Sequence, residues 1–223
     1  SEGMRSRIRG IDQATVNAQD AIGLIQTAEG ALTETHAMLQ RMVTLATQSA
    51  NGTYTTDARN AIKAEVDQLK LEIDRIANNT EFNGVNPLVS GTTTKLTFQI
   101  GPTTAETLNV TVKSMTQTSI SINTIDVTTI SNANGAINKI NTAIGKVSAY
   151  RAELGAVQNR LEHTINNLKV TSENMTAAES RIRDTDMAKE MSAFTKNNIL
   201  VQASQAMLAQ ANQTPQGILQ LLR

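Results

Sequence analysis

Ile11-Asp-Gln-Ala-Thr-Val-Asn-Ala-Gln-Asp-Ala-Ile-Gly-Leu-Ile-Gln-Thr-Ala-Glu-Gly-Ala-Leu-Thr-Glu-Thr-His-Ala-Met-Leu-Gln-Arg-Met-Val-Thr-Leu-Ala46 decides the fold. Within it Ile11, Ala14, Ala18, Ala21, Ile25, Ala28, Leu32, Thr35, Leu39, Met42 and Ala46 follow in steps of three and four, the spacing of a heptad seam on one long helix. Near the other end, Ile137, Ile140, Ile144, Val147, Leu154, Leu161, Ile165, Leu168, Met175 and Ile182 lie on a similar track, which Arg151, Gln158, Ser172 and Glu179 interrupt. Each run needs an apolar partner, and each is the nearest candidate for the other.

Composition agrees. The chain has 223 residues, of which 2% are aromatic and none is Trp, so a thick globular core is out of reach. Aliphatic side chains and eight Met suit the narrow seams of a helix bundle. The expected fold class is mainly α: an elongated bundle of long coiled-coil-like helices with a small β-hairpin region.

Between the seams the punctuation is clear. The first helix should run from about residue 4 to Ser49 and stop at Asn51-Gly52, with Gly in a left-handed conformation. Thr55, Thr56 or Asp57 can cap a second helix to about residue 78, with apolar Ile62, Val66, Leu69, Ile73 and Ile76. The short connection folds it back antiparallel on the first, leaving Lys63, Glu65, Asp67 and Lys70 outward or across a partner. Over about 85–130 the period becomes two: Leu96, Phe98 and Ile100, then Gly101-Pro102, then Leu108, Val110 and Val112, which predicts a β-hairpin laid on the helices. Residues 113–134 are rich in Ser, Thr and Asn and carry no clear period.

A closing helix is expected over about 136–181. Asp184 and Asp186 then break and re-cap the chain, their acidic groups favouring the positive end of the next helix. These boundaries predict a helical core domain over 1–185 and a terminal helix over 186–223. That helix carries Met187, Met191, Phe194, Ile199, Leu200, Val201, Met207 and Leu208. Pro215 and Gly217 interrupt it before Leu219 and Leu222. With an apolar face and no partner in sequence, this tail should be disordered or bound to another chain.

The chemistry of enzymes is missing. Cysteine is absent, and His36 and His163 have no ligand-like spacing to another His or a carboxylate. No metal-binding His pair, phosphate loop or nucleophile elbow occurs. Twenty basic and 20 acidic residues are interspersed at zero net charge, and Arg5, Arg7 and Arg9 make the only basic cluster, so neither nucleic acid nor an anionic membrane is an expected partner. No apolar run is long enough for a membrane span. There is no signal-peptide pattern, and Ser1-Glu2-Gly3-Met4 reads as the middle of a longer sequence.

Particular segments resemble bacterial flagellin. They are Arg5-Ser-Arg-Ile-Arg-Gly-Ile-Asp-Gln-Ala, Ile25-Gln-Thr-Ala-Glu-Gly-Ala-Leu-Thr-Glu, Leu39-Gln-Arg-Met, Gln48-Ser-Ala-Asn-Gly-Thr, Glu72-Ile-Asp-Arg-Ile-Ala, Asn79-Thr-Glu-Phe-Asn-Gly, Gly155-Ala-Val-Gln-Asn-Arg-Leu, Asn174-Met-Thr-Ala-Ala-Glu-Ser-Arg-Ile-Arg-Asp and the closing Leu-Leu-Arg. Together they cover all but about residues 85–135.

The resemblance implies the flagellin core-domain architecture without a large outer domain. It also implies a non-enzymatic subunit that polymerises with other flagellin subunits into the extracellular filament and needs no cofactor. Export would run through the flagellar secretion apparatus without a cleavable signal. A helix that pairs with the terminal one in the family, several dozen residues before the first segment here, is not in this sequence. The family's export chaperone is implied to bind the Met187–Leu222 region, and a flagellin-binding assembly factor is a further partner of some members. Toll-like receptor 5 recognition is implied at Gln40, Arg41, Leu45, Gln48 and Glu65, although Val43 and Thr44 replace an Arg-Glu pair of strongly recognised members. A hook-filament junction adaptor, which shares such terminal helices, is the alternative.

Overall fold

A computed structural model describes residues 2–89, 95–183 and 187–221, with side chains of the last segment described to Asn212. The elements are α1 (Glu2–Ala50), α2 (Thr56–Asn79), β1 (Lys95–Gln99), β2 (Thr107–Thr111), α3 (Ile130–Arg183) and α4 (Met187–Leu221). The mainly α class with one small antiparallel sheet is as expected. Contacts divide the chain into two compact units, Glu2–Thr176 and Ala177–Arg223. Among the described residues, no helix is long and apolar enough to cross a membrane.

In Glu2–Thr176 every seam residue expected of α1, from Ile11 to Ala46, is buried. The end of α1 differs in its means. Gly84, not Gly52, is the glycine with positive φ among the described residues. The terminal carbonyls are instead satisfied by a side chain from the next helix: Arg59 donates from Nε to Ser49 O at 2.9 Å and from Nη2 to Asn51 O at 3.0 Å. Thr55 caps α2, its hydroxyl accepting from the Ala58 N–H. The Arg59–Ser49 and Arg41–Glu65 contacts pair rising positions on α2 with falling ones on α1, so the two helices run antiparallel.

One charged residue of α2 does not face outward. Lys70 is buried, forms an ion pair with Asp67 at 2.7 Å, and turns its ammonium toward Ile125 O. Its aliphatic stem takes a core position next to Val66 and Ile73, a use that a long amphipathic side chain permits.

Antiparallel contacts also align α3 with α1, through Arg151–Glu29 and Ser172–Asp12. The α3 seam differs from the expected track in its first half. The buried residues are Ala133, Ala136, Ile140, Ala143, Val147, Tyr150, Leu154, Val157, Leu161, Ile165 and Leu168. Ile137 and Ile144 only flank this core, and Ile182 is exposed. Arg151 and Gln158 therefore do not interrupt the seam, because Tyr150 and Val157 fill those turns. Leu168 clusters with Ile11 and Ala14 of α1, so small residues on one helix receive larger ones from the other.

Helix α3 also begins six residues before the expected start. Asp126 accepts from the Thr128 N–H, the Thr128 hydroxyl and the Asn132 side chain, while the Thr129 hydroxyl accepts from the Asn132 N–H. These bonds satisfy the first turn, where Asn132, Asn134 and Gly135 weaken intrinsic helix propensity.

The β1–β2 hairpin has the expected register, with Phe98 opposite Leu108 and Leu96 opposite Val110. Asn17 of α1 donates to Gln99 O at 3.0 Å, and Pro102 sits against Gly10, so the hairpin lies on α1 as a two-stranded sheet requires. The Ser/Thr-rich segment after it is firmly anchored. Val112, Met115, Ile120, Ile122, Ile125 and Val127 are buried, and the Asp74 carboxylate accepts from both the backbone and side-chain N–H of Gln117.

In Ala177–Arg223, α4 runs unbroken through Pro215 and Gly217. A proline removes one N–H from a helix, and the bonds around it carry the helix past. Residues 184–186, where the break and re-capping by Asp184 and Asp186 were expected, lie outside the described residues.

Candidate interaction surfaces

The five candidate receptor residues fall on or beside the exposed flank that α1 and α2 share, but they do not all face solvent. Gln40, Arg41, Gln48 and Glu65 are exposed. Leu45 is only 2% exposed and belongs to the core. It follows Met42 at three residues and precedes Ser49 at four, so it lies on the buried face of α1. Of the five, Leu45 alone turns inward, beneath the exposed Arg41.

The four exposed residues are each held by a neighbour. Arg41 donates from Nε to Glu65 Oε1 at 2.8 Å. Gln40 and His36 meet at 3.0 Å one helical turn apart, and Gln48 donates to the Tyr54 hydroxyl at 2.7 Å. The hydrogen bond to Glu65, then the charge of Glu65, raises the Arg41 guanidinium above its ordinary value. These contacts give the flank fixed side-chain geometry, which lowers the entropic cost of recognition. Neither His36 nor Tyr54 is assigned to this flank by the sequence; their spacing of four and six residues from Gln40 and Gln48 was the available signal.

The second surface is α4. Met187, Met191, Phe194, Ile199, Leu200, Val201, Met207 and Leu208 are all more than half exposed. Helical geometry sorts them. Met187, Met191, Phe194, Val201 and Leu208 recur at three, four and seven residues and share one stripe, whereas Ile199, Leu200 and Met207 lie off it. The first turns therefore present one apolar face, and from Ile199 onward apolar groups point to two sides. The Leu219 side chain and all of Leu222 lie outside the described residues.

Neither surface has the makings of a reaction centre. No group of three or more His, Asp or Glu among the described residues is placed to hold a metal ion.

Comparison with known proteins assigns the arrangement. Residues 1–94 match the family model for the bacterial flagellin N-terminal helical region, and residues 137–222 match that for the C-terminal helical region. Outside both lie the hairpin and the segment leading into α3. The flagellin of Halalkalibacterium halodurans is 52% identical over 225 aligned residues, covering 100% of this chain and 82% of the relative. The flagellin of Bacillus subtilis is 51% identical, with 100% and 84% covered. The crystal structure of Bacillus cereus flagellin superposes with a TM-score of 0.63 at 34% identity, covering 74% of this chain and 94% of that one. A flagellar hook-associated protein from Vibrio parahaemolyticus gives a TM-score of 0.66 at 12% identity, over 80% of this chain and 94% of that one, and shares the fold alone. With both helical regions matched and half of all residues shared with flagellins along its whole length, the chain belongs to the bacterial flagellin family, a family of structural proteins rather than enzymes.

Proposed function

We propose that this chain, a structural subunit of the bacterial flagellar filament, polymerises through lateral packing of its long helices, with α4 as the segment that both assembly and an export chaperone engage. The observation that carries the reading is the exposed apolar surface of α4: eight large apolar side chains, all more than half exposed, on one helix. A soluble chain gains by covering such a surface, and burial contributes about 25 cal/mol per Å2 of apolar area removed from water. Other subunits would cover it in the filament. Before assembly the flagellar secretion chaperone would cover it, and a flagellin-binding assembly factor is a further candidate for the unassembled chain. Export through the flagellar secretion apparatus fits the same account.

Amide hydrogen exchange on the full chain tests this. Fast exchange over 187–221 in the isolated chain, slowed by added chaperone, supports the assignment. A segment already protected without any partner would overturn it, since α4 would then have no apolar surface left to offer. The adaptor alternative has less support, because about half of the residues match flagellins over the full chain, against 12% for the hook-associated structure.

A second surface is favoured by a separate observation. Gln40, Arg41, Gln48 and Glu65 form one exposed patch in fixed geometry, with Arg41 and Glu65 already paired. Such a patch, presenting a planar guanidinium beside a carboxylate, suits recognition by Toll-like receptor 5. Leu45 would act beneath it, by packing.

A further inference from the structure

A cleft of about 340 Å3 opens between the middle of α1, the turn at 82–85 and β1. Asp20 and Leu24 line it from α1, Phe82, Asn83 and Val85 from the turn, and Phe98 from β1. The chain has only three Phe, and two of them wall this one cleft. Both rings are half-buried, so part of their apolar surface faces the cleft instead of the closed core.

Stiff backbone keeps the cleft open. Phe82 and Val85 exchange two backbone hydrogen bonds of 2.9 and 3.0 Å around Asn83 and Gly84, whose φ values of 51° and 77° fit a two-residue hairpin turn. Gly23 lets the Phe82 ring approach α1, since a Cβ there would stand 3.2 Å from Phe82 Cζ. The walls are therefore preorganised, which lowers the cost of binding.

The polar groups of the cleft point to the ligand. Asp20 and Asn83 are exposed at its rim, and neither side chain has a hydrogen-bond or ion-pair partner among the described residues. Asp67, Asp74, Asp126 and Glu106, by contrast, are each tied to donors of the chain itself. One uncompensated carboxylate over aromatic and aliphatic walls attracts a cation with an apolar body and repels an anion.

We propose that this cleft binds a small amphipathic amine, an alkyl- or arylalkylammonium ion. Its apolar body lies against Leu24, Phe82, Val85 and Phe98. Its ammonium donates to the Asp20 carboxylate and to the Asn83 side-chain carbonyl. The volume falls at the small end of the range found for ligand pockets, which limits the guest to a short chain or a single ring.

Methyl NMR on the full chain tests the assignment, with n-hexylamine and benzylamine titrated against hexanol and hexanoate at equal ionic strength. Saturable shifts confined to the Leu24 and Val85 methyls are expected, with the amines binding tightest and hexanoate weakest. Asp20→Asn should weaken amine binding about tenfold, in line with loss of one charge-assisted hydrogen bond. Because Asp20 is exposed and unpaired, the variant should melt with the parent. Val85→Lys, which supplies its own ammonium at the mouth, should also compete with the amines. Hexanol matching the amines, an Asp20→Asn variant that binds like the parent, or diffuse and unsaturable shifts would each overturn the proposal.

Discussion

Arg41 of α1 and Glu65 of α2, 24 residues apart in sequence, meet across the seam between their helices through one Nε–H···Oε1 bond of 2.8 Å. Both side chains are about half exposed, so the bond orients two functional groups more than it stabilises the fold. Arg41→Ala and Glu65→Gln should leave thermal unfolding almost unchanged. Surface plasmon resonance against the Toll-like receptor 5 ectodomain should show a loss of affinity of about tenfold or more for Arg41→Ala. Unchanged affinity in both variants would assign the pair to solubility or filament contacts.

Glycines on α1 separate close approach from simple propensity. Gly30 has nothing within 4 Å of an added Cβ, so Gly30→Ala should stabilise the chain by about 1 kcal/mol, the usual difference between the two residues in a helix. A Cβ added at Gly23 would stand 3.2 Å from the Phe82 ring, whose backbone is held by its turn. Gly23→Ala should lose the propensity gain to the displaced ring. Urea midpoints should place Gly30→Ala above the parent and Gly23→Ala at or below it.

The α1 seam was legible because Ile11 to Ala46 repeats without a break, and the hairpin because Leu96, Phe98, Leu108 and Val110 alternate between polar residues. Three features were not. The early α3 seam runs through Ala136 and Ala143, which carry a weaker apolar signal than the adjacent Ile137 and Ile144. The start of α3 depends on Asp126 and Thr129 making bonds that spacing alone does not distinguish from loop chemistry. Lys70 reads as a surface charge until Ile125, 55 residues away, brings a carbonyl to it. At the candidate sites, Gln40, Arg41, Gln48 and Glu65 and the large apolar residues of α4 from Met187 to Leu208 are exposed. The inward turn of Leu45 follows from its being three residues from Met42, a phase that motif matching ignores.

Asp67 predicts the acid limb of stability. Burial pushes its carboxyl up, but hydrogen bonds and charge from Lys63 and Lys70 outweigh burial and hold it below the usual carboxylate value. A group held low in the folded chain binds its proton less readily than in the unfolded chain. Its contribution is therefore fully present above the unfolded value of about 4 and is lost as pH falls through the folded value. Asp126, raised by burial but lowered further by its bonds from Thr128, Asn132 and Val127, acts in the same direction. Denaturant midpoints should be flat above about pH 5 and fall below about pH 4. Asp67→Asn should be less stable at neutral pH, leaving the Lys70 ammonium without its counter-charge, and should show a shallower acid slope.

Tyr150 gives the opposite limb. It is 1% exposed and donates its hydroxyl proton to Pro87 O at 3.1 Å. Burial raises its pKa most; a backbone bond from Lys113 lowers it, and the nearby Glu153 charge raises it. Stability from the neutral phenol is therefore intact below about pH 10 and is lost as pH rises through the higher folded value. Tyr150→Phe should cost about 1 kcal/mol at neutral pH, the net value of one hydrogen bond, and the variant should lack this part of the alkaline decline. Chemical denaturation at pH 7 and at high pH separates the two effects.

The geometry of α4 sets a prediction about position rather than composition. Phe194 and Val201 lie on the stripe with Met187, Met191 and Leu208, whereas Met207 lies off it. If the first turns of α4 meet a partner through a single face, Phe194→Ser should weaken chaperone capture and filament yield. Met207→Ser should affect only a partner that reaches both sides of the later turns, and comparison of capture with yield shows which partner does so. Since these side chains are more than half exposed, neither substitution should shift the unfolding of Glu2–Thr176. Calorimetry, chaperone titration and sedimentation of polymer on the same two variants provide the measurement. Equal loss of chaperone binding from both would mean that total apolar area, and not the stripe, governs recognition.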